Sequence, residues 1–378
     1  MPHQDTPPSC SGDLCLADPA SRDSQYMLAK YGLHQITQGG STKAFPQIEG
    51  DLVIWQLAFG NVSGWGSAIL GYDIKTSSLI SIGFGPLVLH SEAFLAQQRV
   101  LWTDQAVDKD FHPTGNGQLM LWNAATRLTR RIETGLSGSS DSFAFDGTWA
   151  IFGHRGSPKL SEDALWAINV DTGQKDRLYL PYPNQTRPDG ILELPGSMVA
   201  AGGSAYYTID VVTRRPDQPN NDRVTHLYKV DLALNQTTEL YAGPMGITRM
   251  AVDGTTLELE GGSASDYAKM YVMDLSTRQI SPLPCVLACT YMAFPSIKNS
   301  WTLYSAAVDP QGAFLSVFGR NLQTNATVQF HAEKQEATFE AAATDGKRIV
   351  LAAQTYPGHG VDVVGGTSAQ VYWADLPS

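Results

Sequence analysis

The chain has 378 residues, 43% of them hydrophobic and 17% charged, with a formal net charge of −11. That apolar fraction supports a large core and argues against a disordered chain. The acidic balance repels phosphate backbones and anionic lipid, and no apolar run approaches the ~20 residues of a spanning helix, so neither nucleic acid nor membrane insertion is expected.

Met1 to Pro8 lack the basic and apolar regions of a signal peptide. Residues 1–32 read as a tail that carries one cysteine pair, Cys10/Cys15; a second pair, Cys285/Cys289, lies far downstream. Four cysteines allow three pairings, and the sequence does not choose among them. Disulfides are preferred over free thiols or a four-cysteine zinc site, because zinc knuckles use shorter gaps than these. Together with acceptor tripeptides at Asn61, Asn184, Asn235 and Asn325, this points to a secreted or periplasmic protein whose leader is missing from this chain.

From residue 33 onward one pattern recurs. An apolar strand ends in Asp or Asn, a Thr/Ser/Gly-rich turn follows, and a second strand begins. It is read at Tyr72-Asp73-Ile74, Trp122-Asn123-Ala124, Ile168-Asn169-Val170, Val230-Asp231-Leu232, Met273-Asp274-Leu275, Arg320-Asn321-Leu322 and Ala374-Asp375-Leu376. Seven copies about 45 to 60 residues apart have the period of a four-stranded propeller blade. A second signature precedes each by one hairpin, as in Phe45-Pro46-Gln47-Ile48-Glu49-Gly50-Asp51-Leu52, with Asp-Gly pairs at Asp146-Gly147, Asp253-Gly254 and Asp345-Gly346. Asp-Gly is expected to supply both left-handed positions of a type I′ turn. Copies around Gln97-Gln98, Pro195-Gly196 and Lys298-Asn299 are degenerate but in phase.

The reading is therefore an all-β, seven-bladed β-propeller over residues 33–378. The last copy stops near Ser378 before an outermost strand, and residues 33–37 (Leu33-His34-Gln35-Ile36-Thr37) are expected to supply it. Closing the last blade with the first strand removes an exposed sheet edge. Trp55, Trp102, Trp122, Trp166 and Trp373 recur at equivalent positions and read as inter-blade core.

The pattern from Phe45 to Trp55, followed by Tyr72-Asp73-Ile74-Lys75-Thr76, resembles the repeat of bacterial TolB-like propellers. The resemblance covers residues from about 33 to 376 and implies a fold more than a function. Proteins of that kind include partner-binding scaffolds, peptidase-associated propellers and some polysaccharide lyases. The spaced metal-binding histidines of such lyases are not recognisable here.

Propeller ligands are expected on the loops between second and third strands, where a rigid scaffold holds them. Three of these are long: Asp104 to Pro113, Asp210 to Val224 and Tyr356 to Asp362; a shorter one carries His154-Arg155. Asp104, Asp108 and Asp110 form a candidate calcium set, with a solvated acidic loop as the alternative. His112, His154 and His359 are candidate ligand-binding or base residues, or else separate surface histidines. Arg155, Arg214 and Arg215 fit a carboxylate, or pair with Asp217 or Asp222. Trp65 stands outside the repeat phase and is a candidate sugar platform. No Ser-His-Asp triad is assembled.

The leading functional expectation is a monomeric scaffold that binds a protein or carbohydrate on its long-loop face. The alternatives are a polysaccharide lyase working by β-elimination, with His154, Arg155, Arg214 and Tyr356 as its catalytic set, and a purely structural or assembly module. Whether the chain is an enzyme is left open by its sequence.

Overall fold

The computed structural model describes residues 16–377 apart from 39–42, 62–63, 110–111, 113, 137–142, 155–163, 180–190, 214–221, 263–268, 286–288, 290, 309–314, 333–336 and 356–368. Within the segment read as a tail lies one helix, α1 (Arg22–Tyr31), and after it the short strand β1 (His34–Gln35). Blade 1 comprises β2 (Lys43–Glu49), β3 (Leu52–Asn61), β4 (Gly64–Asp73) and β5 (Ser78–Pro86). Blade 2 has β6 (Val88–His90), β7 (Phe94–Ala96), β8 (Arg99–Ala106), β9 (Gly117–Asn123) and β10 (Leu128–Leu136). Blade 3 has β11 (Phe143–Phe145), β12 (Trp149–His154), β13 (Ala164–Asn169) and β14 (Lys175–Tyr179). Blade 4 has β15 (Ile191–Ala201), β16 (Ser204–Thr213), β17 (Asp222–Asp231) and β18 (Gln236–Gly243). Blade 5 has β19 (Gly246–Asp253), β20 (Thr256–Gly262), β21 (Lys269–Asp274) and β22 (Ile280–Pro282). Blade 6 has β23 (Tyr291–Lys298), β24 (Trp301–Ala307), β25 (Leu315–Asn321) and β26 (Thr327–Phe330), and blade 7 has β27 (Ala337–Thr344), β28 (Arg348–Thr355) and β29 (Gln370–Asp375).

Each blade is an antiparallel meander, and the fourth strand of blade 7 is β1, which pairs with β29. The expected seven-bladed ring with terminal closure is what the chain forms. Thr37 locks the clasp: its hydroxyl donates to Gln370 Oε1 at 3.0 Å and accepts from Val371 N at 2.9 Å. Helix α1 seats this strand. Ser21 caps its start by accepting from Ser24 N, and Gly32, at φ 67°, ends it in the left-handed conformation that glycine adopts most cheaply. Met27, fully buried, packs between blades 6 and 7.

Alternating apolar residues bury both faces of the inner strands, and one core cluster fills each of the seven junctions between blades. Trp55 packs with Val350 and Val371 across the 7–1 junction, and Trp102 and Trp122 pack with Ile54 and Ile69 across the 1–2 junction. Trp166 and Trp373 are partly buried against neighbouring clusters, in keeping with the core role read from the repeat.

The first hairpin of each blade departs from the expected turn chemistry. In the Asp-Gly copies only glycine is left-handed, at φ 97° for Gly147, 57° for Gly254 and 86° for Gly346. In two of the three the aspartate instead caps the turn with its side chain. Asp146 Oδ1 accepts from Thr148 N and Trp149 N, and Asp345 Oδ1 accepts from Lys347 N and Arg348 N. The two consecutive left-handed residues of a type I′ turn occur in the degenerate copies, at Gln97-Gln98, Gly202-Gly203 and Asn299-Ser300. Blade 4 therefore turns at Gly202-Gly203, and Pro195-Gly196 lies within β15, not at its end.

These two turn types alternate around the ring and bond to one another. Glu49 of blade 1 accepts from Gln97 N at 2.9 Å and Gln98 N at 2.5 Å in blade 2. Asp146 of blade 3 accepts from Gly203 N of blade 4 at 2.8 Å, and Asp253 of blade 5 accepts from Asn299 N of blade 6 at 2.6 Å. Asp345 of blade 7 accepts from Gly50 N of blade 1 at 3.1 Å. Amide side chains bridge two of the remaining junctions, Gln97 Nε2 to Asp146 O and Asn299 Nδ2 to Asp345 O, both at 3.0 Å. Left-handed backbone pairs present their N–H groups as a concave donor, which suits a carboxylate.

Two outcomes follow for stability. An added Cβ at Gly147 would stand 2.5 Å from Gln97 Cγ, whereas nothing lies within 4 Å of one at Gly254. Gly254→Ala should cost about 1–2 kcal/mol for its backbone alone. Gly147→Ala should cost more, and adding Gln97→Ala should recover part of the excess; equal denaturation midpoints for the two single variants would place the contact wrongly. Thr37→Val removes the hydroxyl that accepts from Val371 N at a buried site, and should lower stability by about 1–3 kcal/mol. Thr76→Val, at an exposed turn, should stay within about ±0.5 kcal/mol in the same measurement.

Candidate functional site

The innermost strands surround an axial channel of about 700 Å³ to which all seven blades contribute. Five of those strands break register at mid-length. The shifts fall between Ala44 and Gln47, Pro195 and Met198, Ile247 and Arg249, Ala293 and Ser296, and Glu340 and Ala343. In blade 2 the strand is interrupted, and Ser91 and Glu92 fill the gap between β6 and β7. Proline explains three of these sites, since Pro46, Pro195 and Pro295 have no N–H for the ladder. Phe45 and Phe294, each before a proline, adopt φ 51° and 59°, an uncommon conformation for a bulky residue. Bulges re-aim side chains, and here they line the channel with both phenylalanines, Thr248 and Arg249.

Arg249 is held from two sides. Its guanidinium lies 4.2 Å from the Phe294 ring centroid, and Nη1 donates to Glu260 Oε2 at 3.3 Å. Glu260, on β20 behind the wall, is almost fully buried and also accepts from Thr248 Oγ1 at 2.8 Å and Phe294 N at 3.0 Å. One carboxylate thus fixes the cation, the aromatic ring and the bulge. Arg249 itself stays half-exposed to the lumen. Glu92 also faces the lumen, open to water yet surrounded by protein; that enclosure raises its pKa, and the Arg249 charge partly offsets the rise. Among the described residues lining the channel, these two carry formal charge.

Behind the same wall Glu258 is wholly buried, and its side-chain oxygens make no well-formed hydrogen bond, with the Ser296 backbone the one donor near enough to offset the burial slightly. Burial holds its carboxyl well above the ordinary 4.5, so the folded protein keeps a proton that the unfolded chain releases. Stability contributed by this site is full below the ordinary carboxylate value and declines as pH rises above it. Glu258→Gln should therefore flatten the fall in melting temperature as pH rises above the ordinary carboxylate value, and an unchanged pH profile would count against a neutral Glu258.

Of the residues singled out from sequence, Asp104, Asp108 and His112 are described with their side chains, and none of the three lines the channel. Asp104 lies on β8, where its Oδ1 is 2.5 Å from His90 Nδ1 and accepts from Trp102 Nε1 at 2.6 Å. Asp108 accepts from His112 N at 3.0 Å, and the exposed His112 ring sits 3.5 Å from Asp108 Oδ2. Asp110 is outside the described residues, as are Arg155, Arg214, Tyr356, His359 and the Cys10/Cys15 pair. His154 closes β12 opposite Ala164, and Trp65 sits on β4 opposite Gly60; their side chains are outside the described set. Asp104 and Asp108 thus serve different partners. No group of three His, Cys, Asp or Glu residues suited to a metal occurs among the described residues. Cys285 and Cys289 are joined by a disulfide, and no described helix is long and apolar enough to cross a membrane.

Tyr179, Tyr207 and Tyr228 gather at the seam of blades 3 and 4, where Tyr179 donates to Glu193. Burial, and then the Glu193 bond, push the Tyr179 hydroxyl far above its ordinary value, and burial pushes Tyr207 up to about 12. Both shifts disfavour the phenolate.

Sequence reasoning missed Arg249, Glu260, Glu258 and Glu92. The run Leu257-Glu258-Leu259-Glu260 alternates like a strand with a wet face. A second strand of a propeller blade is covered on both sides by its neighbours, so acidic residues at alternate positions there were the available signal.

No family model and no curated protein matches the chain. Among solved structures it is similar to the β-propeller domain of the trilobed protease from Pyrococcus furiosus. The TM-score is 0.60 at 10% identity, over 90% of this chain and 98% of that one. That domain is described as having an open velcro topology, whereas here β1 closes the last blade. Pyrococcus horikoshii acylaminoacyl peptidase matches with TM-score 0.59 at 11% identity over 89% of this chain, which spans about half (52%) of that protein's length. An oligogalacturonate lyase from Vibrio parahaemolyticus, at TM-score 0.46 and 13% identity over 88% of this chain and 99% of that one, is too distant to bear on activity. These likenesses establish the propeller fold alone.

Proposed function

We propose that this chain is a TolB-like propeller scaffold, secreted or periplasmic, that binds a protein or carbohydrate partner without transforming it. The face carrying the long second-to-third-strand connections would take the partner, with the axial channel as the deep part of the site. The observation that carries this reading is the channel wall. Its strands give up regular pairing at mid-length to present side chains to an enclosed lumen of about 700 Å³, a volume in the range of small-molecule and peptide-end sites, roughly 300–1,000 Å³. Phenylalanines, hydroxyls and one fixed cation suit recognition. The Cys285–Cys289 disulfide supports the oxidising compartment.

A glycan array and a peptide array probed with the intact chain test the proposal. Saturable binding to one class, with the bound material recovered unchanged, is expected. Release of unsaturated uronate from an acidic glycan, followed by absorbance, would replace the scaffold reading with the lyase.

A further inference from the structure

Arg249 shows more organisation than a structural ion pair requires. Its charge could be neutralised by Glu260 alone at the surface of the wall. Instead the guanidinium is stacked on Phe294 and anchored through one nitrogen, Nη1, while the side chain remains 47% exposed inside the channel. A guanidinium carries five N–H donors in a rigid plane. With one edge bonded to Glu260 and one face on a ring, the remaining donors are fixed in direction and open to the lumen. Around them the wall mixes apolar side chains, among them Phe45, Phe294 and Val252, with polar ones such as Gln47, Ser197 and Thr248. An arginine fork stacked on an aromatic ring suits one chemistry best, a planar carboxylate bonded through two oxygens.

Resting on the binding reading above, we infer that the axial channel is a site for a small organic carboxylate with an apolar body, whose carboxylate pairs with Arg249 and whose body lies against Phe45 and Phe294. Glu92 sets the selectivity. It faces the same lumen and feels the Arg249 charge, yet it forms no ion pair with it within 4 Å among the described residues. As a carboxylate it repels an entering anion, and as the neutral acid it does not. Glu260 is the acid that bonds the arginine, and its oxygens are already engaged with Arg249, Thr248 and Phe294.

Isothermal titration of the intact chain tests this with three probes: N-acetylphenylalanine, its neutral amide, and a digalacturonate. The acetylated amino acid is expected to bind about tenfold or more tightly than the amide, since one charge-assisted pair is removed. Arg249→Ala should weaken it by a similar factor and Arg249→Lys by less, while Glu92→Gln should tighten it severalfold at neutral pH. Equal affinity for acid and amide on the unaltered protein overturns the inference regardless of how the variants fold. So does digalacturonate binding without N-acetylphenylalanine binding, and so does an Arg249→Ala protein of unchanged melting temperature that binds as before. Array binding that survives Arg249→Ala would leave the scaffold reading standing while this site falls.

Discussion

Carboxylates reaching from one blade to the backbone N–H groups of the next hold this ring together on its turn face. A propeller blade has no covalent tie to its neighbour beyond one connection, and apolar packing between blades is not directional. Glu49, Asp146, Asp253 and Asp345 supply the direction, each accepting from the first turn of the following blade. They occur in blades 1, 3, 5 and 7, and the intervening blades carry consecutive left-handed residues, both of whose amides donate to the acid in blade 2 and one of whose does so in blades 4 and 6. With an odd number of blades the alternation must fail once. It does so where blade 7 meets blade 1. There Asp345 accepts from Gly50 N, and Arg348 adds bonds to Gly50 O and Asp51 Oδ1. The same junction receives the terminal strand β1.

This fixation bears on the channel. The inner strands end in those turns, so their ends are pinned while their middles are not. Register is lost at mid-strand in five blades and the strand is broken in a sixth, and the side chains released there line the lumen. Arg249 and Phe294 come from adjacent blades and are brought into contact by two such bulges tied to one buried acid, Glu260. The site is thus made of backbone irregularity on a frame regular enough to tolerate it.

The architecture was legible because it repeats. Seven Asp/Asn hairpins at blade spacing gave the ring, and the incomplete last copy with a spare strand at residues 33–37 gave its closure. The turn chemistry was half legible. Asp-Gly marked the right places, but Asp146 and Asp345 act through side-chain caps, and the paired left-handed turns belong to Gln97-Gln98 and Asn299-Ser300, where composition gives little warning. Pro195-Gly196 was misread as a turn because both turns and bulges use those residues for the same reason, a missing N–H and a missing Cβ. The channel site was not legible. Glu258 and Glu260 look like the wet face of a strand until both sheet faces are known to be covered. Helix α1 was passed over because its ten residues lie between polar segments and are stabilised by docking Met27 between blades.

Backbone hydrogen exchange at Gly50, Gln97, Gly203 and Asn299 tests the central claim most directly. Amides in the middle of exposed two-residue turns exchange nearly as fast as in an unfolded chain unless something accepts from them. If the inter-blade carboxylates hold the ring, these four amides exchange as slowly as the strand amides beside them, and Asp253→Ala speeds Asn299 while leaving Gln97 protected. Fast exchange at all four in the unaltered protein would contradict the account.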